Sequence, residues 1–265
     1  MRRRDRQAIV RHLNTARQVK FPVIIPAYNE AENIGALLRE LREAFPDAVP
    51  VVVSDGSIDD TARIAAEAGA VVLDLPCNLG VGGAVQTGFR YAVEAGFDIA
   101  VRIDGDGQHP PSEIPKLLSK MQESGADAVV GSRYLETNAA AVRGASAARD
   151  AGNIMLAQFL TLISRCRVTD PTSGFWCVRG DLLRCFARQY PSEYPEPEAI
   201  ALLRRQGYEL AETQVQIRPR AKGVSTIKTS GLFYFALRVG LALIADRFRI
   251  VDKRFANPKA KTSPK

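Results

Sequence analysis

The stretch VPVVVSDGSIDDTARIAAEAGAVVLDL (residues 49–75) reads as strand, helix and strand in succession. Residues 49–54 form a buried β-branched run, and the helix predicted over 59–68 ends at Gly69, a residue type that tolerates the left-handed backbone of a helix end. A second apolar run follows at 70–75. Two short strands joined by a helix predict a parallel pair, because a parallel connection has to cross from one end of the sheet to the other.

The same alternation extends to both sides of this unit. An apolar run at 21–25, ended by Pro26, precedes a helix that Asn29 is expected to cap. Further elements are predicted as a helix at 78–95, a strand at 98–104, a helix at 110–124, a strand at 127–132, a helix at 180–189, and a helix, a glycine and a strand within 202–220. We therefore expect an α/β fold with a Rossmann-like, mostly parallel sheet and helices on both faces.

Composition places the chain among globular proteins of one or two domains. It has 265 residues, of which 46% are hydrophobic and 25% charged. The chain has no run of 18 or more uncharged apolar residues, so no spanning helix is expected. The basic start lacks the apolar stretch of a secretory signal. The four cysteines follow no zinc-binding spacing, which indicates reduced thiols in a cytosolic protein.

The net charge of +7 is concentrated at the two ends. Residues 1–20 hold seven basic residues and one Asp, and residues 252–265 hold five basic residues and one Asp. Residues 21–251 hold 24 basic and 27 acidic residues, a net charge of −3. Because a nucleic-acid-binding protein carries positive charge on its folded body, no nucleic-acid partner is expected. Basic ends suit an anionic membrane surface, or else solubilising tails.

An apolar stretch, LFYFALRVGLALIA, occupies residues 232–245 and is interrupted by Arg238. As a helix it would be about 21 Å long, short of the ~30 Å hydrocarbon core of a bilayer. We expect an amphipathic or apolar helix over 226–251 that lies in a membrane interface. The alternative is a terminal helix packed on the protein's own core.

Polar residues gather where four consecutive predicted strands end. Since the carboxyl ends of parallel strands share one edge of the sheet, these residues predict a single polar site there. They are Tyr28, Asn29 and Glu30 after the first strand, Asp55, Gly56 and Ser57 after the second, Asn78 and Gly80 after the third, and Asp104 to His109 after the fourth.

The segment DGDGQH (104–109) gives the clearest indication of a specific chemical role. Two carboxylates one residue apart at a buried strand end are costly without a counter-charge. A hard divalent cation with oxygen ligands removes their repulsion, phosphates can complete its shell, and Gln108 offers a third oxygen. A calcium loop of the EF-hand type does not fit, because Pro115 stands where the twelfth-position glutamate would be.

The segment VSDGSIDDT (53–61) places a second acid at a strand tip. Asp55 can accept hydrogen bonds from a base or a ribose, as acids do in doubly wound nucleotide sites. Ser57 or Asp59 can cap the following helix.

Six motifs in order then resemble a known family. They are PAYNE (26–30), VSDGSIDDT (53–61), NLGVGGAVQTGF (78–89), DGDGQHPP (104–111), GSR (131–133) and DPTSGF (170–175). Together they resemble a family 2 glycosyltransferase of the GT-A fold, and within it the dolichyl- or polyprenyl-phosphate sugar transferases, over about residues 21–225. The resemblance implies transfer of a sugar from a nucleotide-diphosphate donor, expected to be a UDP-sugar, with inversion of the anomeric centre.

The resemblance also implies roles for individual residues. Asp104 and Asp106 match the catalytic pair that holds Mg²⁺ or Mn²⁺ on the diphosphate, and Gln108 matches a further metal ligand. The residues matched to the nucleotide side of the site are Pro26, Tyr28, Glu30, Asp55, Asn78, Gly80 and Asp104. Ser54 stands where many members have a first Asp.

The acceptor divides the family, and the sequence leaves two alternatives. A lipid phosphate is already ionised and needs cations rather than a base, for which Arg133, Arg220 and Lys222 are candidates. A sugar hydroxyl of a glycan or lipid-linked saccharide would need a carboxylate base, for which Glu198 or Glu196 is the candidate.

These expectations divide the chain and give it a location. The divisions are a basic tail over 1–20, the transferase domain over 21–225, the apolar helix over 226–251 and a second basic tail over 252–265. The partners expected are the nucleotide sugar, the lipid acceptor, an anionic membrane surface and a small integral membrane protein. The expected location is cytoplasmic and peripheral, at the inner face of the cell membrane.

Overall fold

A computed structural model describes residues 20–135 and 147–218, together with Val239, Gly240 and Asn257. Within these residues the strands are β1 (Pro22–Ala27), β2 (Val49–Ser54), β3 (Val71–Asp74), β4 (Ile99–Arg102), β5 (Ala128–Ser132), β6 (Trp176–Arg179) and β7 (Leu210–Gln214). They build one seven-stranded sheet in the order β3-β2-β1-β4-β6-β5-β7.

Helices cover both faces of the sheet. The helices are α1 (Ala31–Ala44), α2 (Thr61–Glu67), α3 (Gly80–Glu94), α4 (Ile114–Ser124), α5 (Ala147–Ser164), α6 (Gly180–Gln189) and α7 (Pro195–Arg205), with a 3-10 turn at Pro111–Glu113 before α4. One core cluster lies between the sheet and α3, α5, α6 and α7, and the other between the sheet and α1, α2 and α4. Successive residues of β1 pack into opposite clusters, as the twofold period of a strand requires: Ile24 lies in the first cluster, and Val23 and Ile25 lie in the second.

Strand direction confirms the mostly parallel sheet. β1 pairs in parallel with β2 and β4, β2 with β3, and β5 with β7. β6 runs antiparallel between β4 and β5, a feature that the sequence did not predict. The carboxyl ends of β1 to β4 therefore lie at one edge, where the polar site was expected.

Two local predictions around β1 are wrong. The strand does not end at Pro26 but continues to Ala27, and Pro26 pairs with Val53 of β2. This is tolerated because Pro26 supplies a carbonyl oxygen, which accepts the N–H of Gly105 at 3.2 Å, and no N–H is needed there. Asn29 does not cap α1, because it has a φ of 53° and its side-chain oxygen accepts the N–H of Ile58.

The predicted apolar helix over 226–251 lies mostly outside the described residues. Val239, which is described, is fully buried in the first core cluster, and a Cβ built on Gly240 would lie 3.7 Å from the Phe159 ring of α5. From the predicted tail over 252–265, Asn257 donates to the carbonyl oxygen of Gln206 at 2.8 Å. At these points the segment packs on the protein. The described part of the chain contains no helix with the length and apolarity to cross a membrane.

Candidate active site

Hydrogen bonds join the loop after β1 to the loop after β2. The N–H of Asn29 donates to Ser57 Oγ at 3.1 Å, and the N–H of Ile58 donates to Asn29 Oδ1 at 2.9 Å. Asp59 accepts from the N–H of Ala31 and from the N–H of Thr61, so it holds the first turns of both α1 and α2. The capping predicted for Asn29 therefore falls to Asp59, an acid from the neighbouring loop.

Asp55 ties the loop after β2 to the loop after β3. The buried Asp55 carboxylate accepts the N–H of Leu79 through Oδ1 at 2.7 Å. Next to it, Gly56 has a φ of 66°, and a Cβ there would lie 2.6 Å from the backbone N of Asn78. The two loops pack so closely that residue 56 has to be glycine.

The glycine-rich segment 78–89 is used for helix packing. A Cβ on Gly82 would lie 2.7 Å from the Cα of Ser192, and one on Gly88 would lie 3.2 Å from Ile24 Cγ1. Asn78 Oδ1 accepts the N–H of Gly80 at 2.9 Å and forms the turn into α3. These glycines bring α3 close to β1 and to the turn between α6 and α7.

The DGDGQH loop is shaped by short-range bonds. The N–H of Asp104 donates to His109 Nδ1 at 3.2 Å, and Asp106 Oδ1 accepts the N–H of Gln108 at 3.0 Å. Burial lowers the pKa of His109, which keeps Nδ1 in the neutral form that can accept. His109 therefore supports the loop.

Arg102, the last residue of β4, is a site residue that sequence reasoning missed. Its side chain is 1% exposed, and Nη2 donates to Asp104 Oδ1 at 3.1 Å and to Glu196 Oε1 at 2.7 Å. Burial opposes its charge, but the carboxylates of Asp104 and Glu196 outweigh that effect and raise the pKa of the guanidinium. The sequence does contain a signal, a charged residue inside the apolar run DIAVRID (98–104).

The two candidate bases in the first turn of α7 lie in different surroundings. Glu196 pairs with Arg102 and is 17% exposed on its side chain. Burial raises the pKa of Glu196, and the charge of Arg102 offsets part of that rise. Glu198 follows two residues later, and its N–H donates to the carbonyl oxygen of Tyr194 at 3.1 Å. The structure therefore brings Glu196 directly into contact with the guanidinium that binds Asp104.

The DPTSGF loop (170–175) reaches the same carboxylate from the other side. A Cβ on Gly174 would lie 2.6 Å from Asp104 Oδ1, so the glycine backbone packs directly against this acid. Ser173 Oγ donates to the carbonyl oxygen of Gly131 at 2.6 Å, and Trp176 Nε1 donates to that of Ser173 at 2.7 Å. Trp176 is buried and holds the loop from beneath.

Arg133 anchors this loop to the end of β5. Its Nε and Nη2 donate to the two oxygens of the buried Asp170, each at 2.6 Å, and Nη2 also donates to Thr172 Oγ1 at 2.8 Å. Glu212 of β7 accepts from the N–H groups of Thr169 and Asp170. The fork of Arg133, predicted to bind an acceptor phosphate, is bonded to the protein itself, and its role toward an acceptor stays a prediction.

A sequence profile described as glycosyl transferase family 2 matches residues 23–179 of the chain. The chain belongs to glycosyl transferase family 2. The resemblance stated from its motifs is thereby confirmed, and the protein is a glycosyltransferase with a GT-A-like fold.

Relatives of this transferase include lipid-phosphate sugar transferases. The undecaprenyl-phosphate mannosyltransferase of Micrococcus luteus is 36% identical over 170 residues, which cover 61% of this chain and 67% of that protein. The UDP-N-acetylglucosamine–dolichyl-phosphate N-acetylglucosaminyltransferase of Methanococcus voltae is 28% identical over 247 residues, 84% of this chain and 97% of that protein.

Solved structures confirm the fold. Glucosyl-3-phosphoglycerate synthase from Mycobacterium tuberculosis, in complex with Mn²⁺, UDP and glucosyl-3-phosphoglycerate, superposes with a TM-score of 0.67. The identity is 21%, over 92% of this chain and 85% of that one. At this identity the likeness concerns the fold.

The remaining nucleotide-side predictions fall on two kinds of position in the transferase. Tyr28 is exposed at the edge where the strands end, whereas Pro26 is buried within β1. The Glu30 carboxylate accepts from Asn33 Nδ2 at 2.6 Å, and its N–H donates to Thr61 Oγ1 at 2.8 Å. Contact of any of these residues with a nucleotide stays a prediction.

The segment after β7 passes beside the DGDGQH loop of the transferase. The carbonyl oxygen of Gln108 accepts the N–H of Arg218 at 2.9 Å, and Gln108 Nε2 donates to the carbonyl oxygen of Arg218 at 3.3 Å. Arg218 in turn forms a two-bond ion pair with Glu40 of α1. Arg220 and Lys222, predicted to bind phosphate, lie outside the described residues.

The donor set of the transferase fits a divalent metal only in part. Asp104, 34% exposed, and Asp106 offer hard carboxylate oxygens, and the amide of Gln108 has its oxygen as a further ligand atom. Among the described residues there is no group of three or more His, Cys, Asp or Glu side chains that could hold a metal alone. A cation on these residues therefore needs ligands from elsewhere, and diphosphate oxygens have the right chemistry.

Proposed function

We propose that this transferase moves a sugar from a nucleotide-diphosphate sugar, most simply a UDP-sugar, to a polyprenyl phosphate carrier. The observation that carries the proposal is the position of Asp104 and Asp106, on one loop at the edge where β1 to β4 end. Relatives named for transfer to undecaprenyl or dolichyl phosphate support the acceptor.

The nucleotide side is assigned to the loops after β1, β2 and β3. The first two loops are joined by a bond from Asn29, the residue after Tyr28, to Ser57; the second and third are joined by Asp55, which accepts the N–H of Leu79, and Asn78 forms the turn of the third. A prearranged site avoids ordering the loops at the expense of binding free energy. Asp55 is the acid assigned to the base or ribose.

The metal side is assigned to Asp104 and Asp106, with Gln108 as a third ligand, for Mg²⁺ or Mn²⁺. When bound there, such a cation supplies positive charge to the departing nucleotide diphosphate. Arg102 and the backbone of Gly174 hold the Asp104 carboxylate in place, and the His109 ring fixes the loop behind it.

The acceptor side favours a phosphate over a hydroxyl. A phosphate monoester is ionised at neutral pH, so its oxygen attacks without a general base. Glu196, a candidate base, already shares a buried ion pair with Arg102, and taking up a proton there would weaken that pair. Arg133, Arg220 and Lys222 remain the cations proposed to position the phosphate.

The test is transfer of radiolabelled sugar from UDP-glucose, UDP-galactose, UDP-N-acetylglucosamine and GDP-mannose to undecaprenyl phosphate in detergent. We expect one donor to give lipid product with Mn²⁺ and none with EDTA. The matched control is Asp60→Asn, an exposed acid paired with Arg63, which should transfer like wild type. Folded wild-type protein that transfers no sugar from any of these donors with Mn²⁺ contradicts the proposal.

The raised pKa of Glu196 supports a second candidate, transfer to a sugar hydroxyl with Glu196 or Glu198 as base. Under this alternative, Glu196→Gln or Glu198→Gln would abolish transfer to a lipid-linked saccharide and leave Mn²⁺-dependent UDP binding intact. Activity with undecaprenyl phosphate that persists in both variants would contradict it.

The basic ends support a peripheral location at the cytoplasmic face of the membrane, and the resemblance to the polyprenyl-phosphate branch supports a small integral membrane protein as a further partner. Co-sedimentation with vesicles of phosphatidylglycerol, but not of phosphatidylcholine, is expected, and it should weaken as salt rises. Equal binding to both vesicle types would contradict the charge-based contact. Co-purification from membranes tests the protein partner.

A further inference from the structure

Arg102 is a buried cation that the donor chemistry described above does not use directly. It ends β4, a central strand, and its side chain is 1% exposed. Removing a guanidinium from water is costly, and such a group is retained only where acids and hydrogen bonds compensate it. We therefore expect Arg102 to have a specific role that accounts for the cost of burying its charge.

The guanidinium contacts three side chains from three parts of the chain. Nη2 donates to both Asp104 Oδ1 and Glu196 Oε1, and Nη1 donates to Tyr190 Oη at 3.2 Å. One positive charge therefore stands between two carboxylates, which would repel each other without it. Asp104 is at the same time the acid assigned to the metal.

The contacts of Arg102 bracket the turn between α6 and α7. Tyr190 follows the last residue of α6 and Glu196 lies in the first turn of α7. Gly82 of α3 packs on the middle of this turn, at Pro191 and Ser192. The turn thus has one support from α3 and one from the guanidinium beside Asp104.

We propose that Arg102 is a positioning residue for this transfer reaction. It holds Oδ1 of Asp104, which fixes the direction in which that carboxylate offers its oxygens to the metal, and it holds the start of α7 against the same acid. The proposal rests on the proposed function, because it assigns Asp104 to a metal-bound donor.

Lysine and methionine separate the parts of this role. Arg102→Lys keeps a positive charge but has no planar fork to contact Tyr190 and two carboxylates together. Arg102→Met keeps most of the volume and removes the charge. A residue that only fills space would tolerate Met, and one that only neutralises charge would tolerate Lys.

The experiment measures Mn²⁺-dependent UDP binding by calorimetry, and UDP binding in EDTA by saturation-transfer NMR. We expect the Kd for UDP with Mn²⁺ to rise about tenfold in Arg102→Lys and about 100-fold in Arg102→Met, the range known for residues that orient metal ligands. UDP binding in EDTA should stay at the wild-type level. Thermal melts verify that each variant is folded, and Arg102→Lys decides the question if Arg102→Met does not fold.

Arg204→Lys is the matched control. Arg204 is a partly buried arginine of α7 that donates to the carbonyl oxygen of Tyr208 and to Glu209, away from Asp104. It should bind UDP with Mn²⁺ like wild type. In a double-mutant cycle, Glu196→Gln should reduce the effect of Arg102→Lys on kcat, because the two residues act through one contact.

Three outcomes overturn the inference. Folded Arg102→Lys with wild-type Kd and kcat removes Arg102 from the reaction. Equal weakening of UDP binding with Mn²⁺ and in EDTA indicates a general loss of the site, and a strictly additive cycle shows that Arg102 and Glu196 act independently. Wild-type protein that binds neither UDP nor GDP with Mn²⁺ contradicts the proposed function instead, and the inference falls with it.

Discussion

Two clusters of one arginine and two acids lie on either side of β6, and they have the same composition. Arg102, Asp104 and Glu196 form the first, which we call the open cluster. Arg133, Asp170 and Glu212 form the second, which we call the closed cluster. In both, one guanidinium contacts at least one carboxylate, and burial raises the pKa of the glutamate.

The clusters differ in what surrounds the acids. In the closed cluster Asp170 is 0% exposed and receives two guanidinium bonds and the N–H of Arg133, while Glu212 accepts the backbone N–H groups of Thr169 and Asp170. In the open cluster Asp104 is 34% exposed. The closed cluster stabilises a loop. In the open cluster the acid is bonded to the protein on one side and partly exposed to solvent, so it is available to a ligand.

The largest expected effect comes from removing both acids of the metal pair. Asp104→Asn with Asp106→Asn should lower transfer by at least about 1,000-fold, because the charge on the departing diphosphate is no longer compensated. Calorimetry should show no Mn²⁺-dependent increase in UDP affinity. If the double variant transfers sugar at the wild-type rate in the presence of chelator, the assignment of the open cluster to metal binding is wrong.

Next comes the closed cluster. Arg133→Met should destabilise the fold by about 3 kcal/mol, since it leaves the buried Asp170 carboxylate without its counter-charge. Urea unfolding measures this change, and Mn²⁺-dependent UDP binding at low temperature should stay near the wild-type value. Because Arg133 is also proposed to position the acceptor, the KM for undecaprenyl phosphate should rise as well. Unchanged stability would contradict the structural role of the closed cluster.

A single methyl group tests how tightly the two clusters are joined. Gly174→Ala places a Cβ 2.6 Å from Asp104 Oδ1, so the carboxylate has to move. We expect Mn²⁺-dependent UDP affinity to fall about tenfold. Gly35→Ala in α1, where the nearest atom is a side-chain methyl at 3.2 Å, is the control and should bind normally. Equal affinity in both variants would show that the contact is not needed.

The smallest expected effect is a pH dependence of the closed cluster. Burial raises the pKa of Glu212, so the folded state favours its protonated form more than the unfolded state does. The contribution of Glu212 to stability is therefore full below its unfolded pKa and is lost as pH rises through the folded pKa. As pH rises from the unfolded to the folded pKa of Glu212, the unfolding free energy of wild type minus that of Glu212→Gln should decrease, and above the folded pKa it should stay constant. A difference that increases with pH contradicts the raised pKa.

Much of the fold could be predicted from local patterns. The strand over Val49–Ser54 and the helix over Gly180–Gln189 were predicted with the bounds observed. Neither the strand β6 nor its reversed direction was predicted, because WCVR is only four residues long and no turn residue indicates its neighbours. Asn29 was mistaken for a cap because the acid that holds α1, Asp59, comes from another loop.

The candidate site divides in the same way. The DGDGQH loop could be found from sequence, since both carboxylates and their glycines are neighbours in the chain. Arg102 could not be assigned a role, because Glu196 lies 94 residues further on. Likewise, the closed cluster joins residues 37 and 42 positions apart.

By itself, the sequence determined the alternation of strands and helices, the polar edge of the sheet and the adjacent acids of the DGDGQH loop. These depend on periodicity and on residues a few positions apart. Only the tertiary structure decided in which of two similar arginine–acid clusters the acids are buried and in which one acid stays exposed. Side chains from distant elements meet only after the helices have packed on the sheet, and that packing settles how much water each carboxylate keeps.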